Sequence, residues 1–352
     1  MRGRTGRARA VAEATLPGAP DRRSGSPPPK LVRDERPVRA RRADEGADVT
    51  PNPPDETAGP DRAVPGPGHP SPPPLEIDVF TGPESAFFAT STLIMGVSTA
   101  ILVDAQLTRS AGRELAEWIA GKGRTLLAIV VTHRHPDHYF GAEEVLRLFP
   151  GARLLAAPGV VDGIARTGAA KVAEWKPVYG DDIPDQPLLP APLLPQPLMV
   201  DQQLIHVLPL GQGDCEDSTI VHVPGIRTVL AGDFVYNGTH VWTADTDPYR
   251  RIDWAHNLAR IADLGVDRVV AGHRAPGADD DALRVLSFTG EYLQDFDRAL
   301  AAHPHDAEAL AAAMNERYGA LTLPAILELG AAANTAPPED GEIVDAEIVD
   351  ED

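Results

Sequence analysis

A continuous apolar run that ends in a cluster of imidazoles constrains this chain more than any other feature. Residues 125–132 (TLLAIVVT) have the length and β-branched content of a strand buried on both faces. They lead directly into His133-Arg134-His135-Pro136-Asp137-His138. Pro136 keeps the strand from continuing. Histidine is scarce, 11 in 352 residues, so three of them with a carboxylate within six positions are not loop filler. Neutral imidazole and carboxylate suit a borderline cation such as Zn²⁺, Fe²⁺ or Mn²⁺. A tight turn at the strand end aims His133 and His135 at one metal and Asp137 and His138 at a second.

The surrounding pattern is that of a mixed α/β (α+β) domain spanning 75–335. Strands are expected at 75–80, 87–95, 99–103, 152–157, 204–208, 218–223, 227–231 and 268–271, where apolar and β-branched residues run between short breakers. Helices are expected at 109–121, 141–149, 160–175 and 252–264. In the second of these, Val145, Leu146 and Leu148 should form the apolar face against Glu143, Glu144 and Arg147. A mostly helical end follows at 282–297, 306–318 and 323–333. Residues 177–200 interleave six prolines, from Pro184 to Pro197, with leucines. That density excludes a helix and a central strand, and leaves a long loop that either straps the core or covers a cleft.

The two ends differ from this middle. Residues 1–74 hold 16 of the chain's 35 prolines and almost no aliphatic periodicity, so they are expected to be disordered. Residues 1–42 carry 11 Arg and Lys30 against four acids, whereas the whole chain has a net charge of −20. Residues 336–352 are read as an acidic disordered tail. The overall charge argues against general nucleic-acid binding and against an anionic membrane surface. Cys215 is the only cysteine, which rules out an intrachain disulfide and any multi-cysteine metal site. No apolar run reaches the length of a membrane span, and residues 1–20 lack a secretory apolar region, so a cytoplasmic location is expected.

His133-x-His135-x-Asp137-His138, with Thr132 before it and Gly141 after it, resembles the principal motif of the metallo-β-lactamase superfamily. The later motifs follow in order at strand ends. Gly232-Asp233 resembles the family's metal-bridging aspartate, Gly272-His273 its last histidine ligand, and Asp104 the aspartate that orients the metal loop. The resemblance covers residues 79–275. It implies a four-layer αβ/βα sandwich with a helical C-terminal extension and metals at the rim where strand ends converge. It also implies His133 and His135 in site 1, Asp137, His138 and His273 in site 2, and Asp233 between them. The cofactor implied is Zn²⁺, one ion or two, with Fe or Mn as alternatives.

One position departs from the family. A further site-1 histidine is usual, and here Leu210-Gly211-Gln212-Gly213-Asp214-Cys215 places Gln212 at that point. An amide oxygen is a weaker and harder ligand than imidazole. Three outcomes follow: Gln212 coordinates, a neighbour (Cys215, Asp214 or His206) substitutes, or site 1 is empty. His206 and His222 alternate with aliphatics and are read as structural. Tyr236 and His240, in a loop like one found in some members, are candidates for substrate contact or proton transfer, and Asp137 is the third catalytic candidate. Trp175, Trp242 and Trp254 are expected in the core or at its edge. Arg274 has two readings, an anion-binding group or a surface salt bridge.

The resemblance implies a metal-dependent hydrolase in which a metal-activated hydroxide attacks a small ester, lactone or thioester. Two other classes stand beside it: a degenerate member that binds rather than cleaves, and a mononuclear iron oxygenase. The partner expected is a small-molecule substrate, with no nucleic acid and no membrane, and the oligomeric state is open.

Overall fold

The computed structural model describes residues 73–194 and 196–336. The expectations for the Arg/Pro-rich N-terminal segment and the acidic tail therefore fall almost wholly outside the described residues.

The chain opens with β1 (Glu76–Thr81), β2 (Thr90–Met95) and β3 (Thr99–Val103), then α1 (Arg109–Ala120) and β4 (Thr125–Val131). Helix α2 (Ala142–Leu148), β5 (Arg153–Ala156) and α3 (Pro158–Tyr179) follow. Two short pieces, β6 (Ala191–Pro192) and β7 (Leu198–Val200), precede β8 (Gln203–Gly211), β9 (Ser218–Val223) and β10 (Thr228–Leu230). Then come β11 (Tyr236–Asn237), α4 (Pro248–Ala262), β12 (Arg268–Val270) and β13 (His273–Arg274). Helices α5 (Ala282–Ala302), α6 (Ala307–Tyr318) and α7 (Pro324–Thr335) close the domain.

These elements form a four-layer αβ/βα sandwich. One sheet runs β1-β2-β3-β4-β5-β6, and the other runs β12-β10-β9-β8-β7. The inner faces meet in one apolar layer, with Ile94, Ile101, Val103 and Val130 against Ile205, Val221, Leu230 and Val270. The outer face of the first sheet carries α1 and α2 through Leu115, Ile119 and Val145. The outer face of the second carries α4 to α7 through Trp254, Val285, Phe296 and Leu327. Strand β4 is parallel to both neighbours, β3 and β5, and is buried on both faces, as its unbroken apolar run requires.

Side-chain caps set several helix starts. Thr108, Asp247, Asp281 and Asp306 each accept a hydrogen bond from a backbone N–H three residues on, opening α1, α4, α5 and α6. Three departures from the sequence pattern have physical causes. The strand expected at 87–95 begins only at Thr90, because Phe87 and Phe88 sit at φ of 60° and 52°. Helix α3 extends beyond the expected 160–175 and carries Pro177 into its last turn. In α2, Val145 is buried as expected, but Glu144 is buried beside it and Leu148 is 49% exposed. Arg113 and Arg147 reach Glu144 at 3.3 and 3.2 Å and neutralise it there.

The proline-rich stretch is a strap. Leu193 packs on the inter-sheet layer and Ile183 on the α3 cluster, while Leu188, Leu189 and Leu194 stay exposed. Ala191–Pro192 adds to the sheet only at its edge, where a missing N–H is tolerated.

Trp254 is fully buried, and its indole N–H donates to Phe234 O at 2.9 Å, within the turn that follows β10. Trp254→Ala is expected to destabilise the fold by about 3–5 kcal/mol, read as a lowered urea midpoint.

Candidate metal centre

The strand ends of both sheets converge on one rim, and each delivers part of the centre. At the end of β3, Asp104 adopts φ of 61°, which turns its carboxylate back toward β4. One oxygen accepts from Thr132 N and the other from Thr132 Oγ, both at 2.8 Å. The second oxygen also lies 2.8 Å from His138 Nδ1. That contact makes Nδ1 the protonated nitrogen of His138 and leaves Nε2 for the centre. The histidine motif itself forms a short 3-10 turn, Pro136–His138, started by Pro136.

The second sheet supplies Asp233 and His273. Gly232 precedes Asp233 at φ of 51°, and a Cβ there would stand 2.7 Å from Thr132 Oγ. At Gly272 a Cβ would lie 1.9 Å from Asp233 Oδ1, so the chain beside His273 must be glycine for the two ligand turns to close. Strands β11 and β13 pair in parallel and set Tyr236 opposite His273. The Tyr236 ring stacks on His273 with centroids 5.3 Å apart. His273 Nδ1 donates to Phe87 O at 2.7 Å, which accounts for the left-handed backbone at that aromatic residue.

Three groups of potential ligands result: His133, His135, Asp214 and Cys215; His133, His138 and Asp233; and Asp137, His138 and His273. Within each group the donor atoms lie within 4.8 Å of one another. Asp233 sits in the middle, 3.2 Å from His138 Nε2, 3.0 Å from His273 Nε2 and 3.8 Å from His133 Nε2. Asp137 lies 3.3 Å from His273 Nε2. The six motif residues named from the sequence are therefore brought together.

Gln212 is placed differently from its neighbours. Its amide nitrogen donates to Gly213 O at 2.9 Å. The group that faces the site-1 histidines is Asp214, fully buried, with one oxygen 2.7 Å from His135 Nδ1 and 3.8 Å from His133 Nε2. Cys215 is also buried, and burial followed by the nearby Asp214 charge holds it as a thiol, well above the usual thiol range. His206 belongs to none of the three groups. It faces His222 across β8 and β9, half-buried.

The electrostatics fit a cation. Among the described residues, His133 Nε2 and Asp214 Oδ1 are buried without a hydrogen-bond partner, and Asp214 Oδ2, Asp233 Oδ1 and His138 Nε2 are buried with only other ligand groups beside them. Buried carboxylates in that state are costly unless positive charge lies among them. Burial lowers the proton affinity of His135, yet Asp214 and Asp245 outweigh it and raise its pKa to about 10. His138 and His273 are likewise raised, burial being overcome by Asp233 and its neighbours. Burial and the adjacent imidazoles push His133 down. The donor set thus suits divalent metal, which these residues hold by giving up protons.

Around the ligands lies a partly open cleft with a cavity volume of about 60 Å³. Trp175 and Trp242 line it from the edge of two core clusters and Trp254 is in the core, all as expected. Tyr236 donates its hydroxyl to Asp233 Oδ2 at 2.8 Å, and burial with that carboxylate pushes its pKa well up. Its proton is thereby committed to Asp233. Arg274 is spent on Asp280 at 3.0 Å and on Thr81, which settles it as a salt bridge. Asp245 escaped the sequence reading. It joins His135 Nε2 at 3.0 Å and Trp242 Nε1 at 2.9 Å, and 110 positions separate it from His135, with no motif to signal it. The C-terminal walls Leu323, Ile326 and Leu329 were equally invisible.

Comparison with known proteins agrees with this geometry. Residues 85–273 match the metallo-β-lactamase superfamily. The chain belongs to the metallo-β-lactamase superfamily. Among solved structures, a metallo-β-lactamase family protein from Thermus thermophilus is 22% identical, with a TM-score of 0.52 over 74% of this chain and 92% of that one. A β-lactamase domain protein from Burkholderia ambifaria is 19% identical, with a TM-score of 0.53 over 74% of this chain and 85% of that one. At these identities the likeness speaks for the fold alone. No curated protein matches the chain. Among the described residues no helix is long and apolar enough to cross a membrane.

Two outcomes follow. Asp104→Asn leaves His138 without its carboxylate partner and is expected to weaken divalent-metal affinity about 10–100-fold, read by competition with a chromophoric chelator. Metal uptake should release protons from His135, His138 and His273, whose pKa values are raised. Apparent affinity should therefore rise with pH across the neutral range. Calorimetry in buffers of different ionisation enthalpy measures the protons released.

Proposed function

We propose that this chain is a zinc-dependent hydrolase of a small ester, lactone or thioester. The observation that carries the reading is the opening of a two-sided ligand cluster onto an apolar-walled cleft. A scaffold has no physical need for a cluster of largely buried ligand groups left unneutralised at a sheet rim.

In this reading His133, His135 and Asp214 hold one ion, Asp137, His138 and His273 hold the other, and Asp233 lies between them. Divalent metal bound there would supply a hydroxide at neutral pH and polarise the substrate carbonyl. The chain's own residues do the positioning. Asp104 keeps the His138 tautomer, and the Phe87 carbonyl does the same for His273. Tyr236 holds Asp233, and Asp245 backs His135. Trp175 and Trp242 form part of the cleft wall.

Asp214, rather than Gln212, completes site 1 in this proposal, since its carboxylate is the one turned to His135. Two histidines and one carboxylate are also the donor set of non-haem iron oxygenases. That observation favours the oxygenase as the second reading, and metal analysis separates the two.

The test is elemental analysis of untagged protein. Two zinc ions per chain are expected in the wild type, in Gln212→Ala and in Cys215→Ala, and one in Asp214→Asn. Loss of an ion from Gln212→Ala but not from Asp214→Asn would return site 1 to the amide. Stoichiometric iron with oxygen uptake would replace hydrolysis with the oxygenase. Hydrolysis of p-nitrophenyl esters should vanish with a chelator and return with Zn²⁺.

A further inference from the structure

His240 lies in the loop after β11 and is 1% exposed, yet it lines the same cleft as Asp233 and His273. Its two ring nitrogens differ sharply. Nδ1 is 2.9 Å from the hydroxyl of Tyr292, on α5. Nε2 is buried and has no hydrogen-bond partner among the described residues.

The tautomer follows from the partners of Tyr292. Its ring is fully buried. The phenol proton then needs an acceptor, and burial holds that proton on the oxygen. Among the described residues, His240 Nδ1 is the acceptor within reach. A lone pair must therefore sit on Nδ1 and the ring proton on Nε2. Burial lowers the pKa of His240 to about 4, so the ring is neutral at physiological pH.

A neutral imidazole held this way is neither base nor acid. Its lone pair is spent on Tyr292, and releasing the Nε2 proton would leave an imidazolate. Its one unengaged donor is the Nε2–H, on a residue that lines the cleft. The rest of the lining narrows the substrate. Leu323, Ile326 and Leu329 supply apolar walls, and the lining cation Lys171 is held by Glu174 at 2.9 Å. A carboxylate on the substrate therefore finds no unpaired side-chain cation in the lining, whereas a carbonyl oxygen finds a donor.

We infer that His240 Nε2–H, held by Tyr292, receives the acyl oxygen of an ester or thioester whose acyl group is uncharged and apolar. The substrate class rests on the hydrolase reading, but the donor assignment does not. In the hydrolysis, water adds to the acyl carbon, the bond to the leaving oxygen or sulfur breaks, and a carboxylic acid and an alcohol or thiol are released. As the carbonyl bond opens, negative charge grows on the oxygen facing His240, and a donor fixed beforehand stabilises it. Tyr292 is the positioning residue, acting through His240.

The experiment uses the full-length, metal-loaded protein with ¹⁵N-labelled histidine. Long-range ¹H–¹⁵N correlation should show His240 as the Nε2–H tautomer in the wild type and as a tautomer mixture in Tyr292→Phe. The ketone 2-octanone, which has an acyl oxygen and no leaving group, should shift the Nε2–H resonance. An Nδ1–H tautomer in the wild type, or an Nε2–H resonance unmoved by saturating 2-octanone, overturns the assignment. With p-nitrophenyl hexanoate, His240→Leu should lower kcat about 10²-fold while KM changes little, and His240→Gln, which restores an N–H, should recover most of the loss. If wild-type protein cleaves no ester while the tautomer and ketone shift are as described, the donor stands and the hydrolase reading falls. If it cleaves esters and His240→Leu does so equally well, the donor role falls and the hydrolase reading stands.

Discussion

Three carboxylates, Asp137, Asp214 and Asp233, are buried together with the imidazoles of His133, His138 and His273 at the rim of two sheets. Such a concentration of charge holds together only with cations among its members, because the surrounding dielectric cannot screen it. Much of the nearby structure serves that condition. Asp104 ties the end of β3 to the end of β4 and to the histidine turn. Gly232 and Gly272 let two chain segments approach more closely than any side chain permits. Two phenylalanines accept an unfavourable backbone so that one carbonyl can reach His273.

The parts of this fold written in local pattern were legible. Strand β4 shows itself by an apolar run, and the histidine turn by its composition. Asp104, Asp233 and His273 show themselves by following strands in a familiar order. Features set by contact across the sequence were not legible. Glu144 reads as the polar face of a helix until Arg113, on another helix, is seen to neutralise it. Phe87 and Phe88 read as strand residues until the carbonyl of Phe87 is seen to serve a histidine 186 positions away.

The replacement of the usual histidine illustrates the same limit within the site. Alignment of residue types points to Gln212, because it stands where the family's ligand stands. In the structure Gly211, at φ of 98°, and the Gly213–Cys215 turn set Asp214 against His135. Asp214 was among the substitutes the residues allowed, but a string of letters does not say which of two side chains in a turn faces inward. Asp245 and the C-terminal walls of the cleft lay beyond even that, because their link to the ligands is spatial.

Helix α5 touches the substrate side of the site at three levels. Thr289 accepts from Tyr236 N, Tyr292 meets His240, and Asp297 holds Arg251, which in turn grips Thr246. The clustered histidines and aspartates come from the sandwich, whereas the loop facing them is braced from the helical extension. Inheritance can therefore act on the two parts separately. A lineage can reshape the wall of the cleft by altering α5 to α7 alone, while the histidine and aspartate cluster passes unchanged from ancestor to descendant.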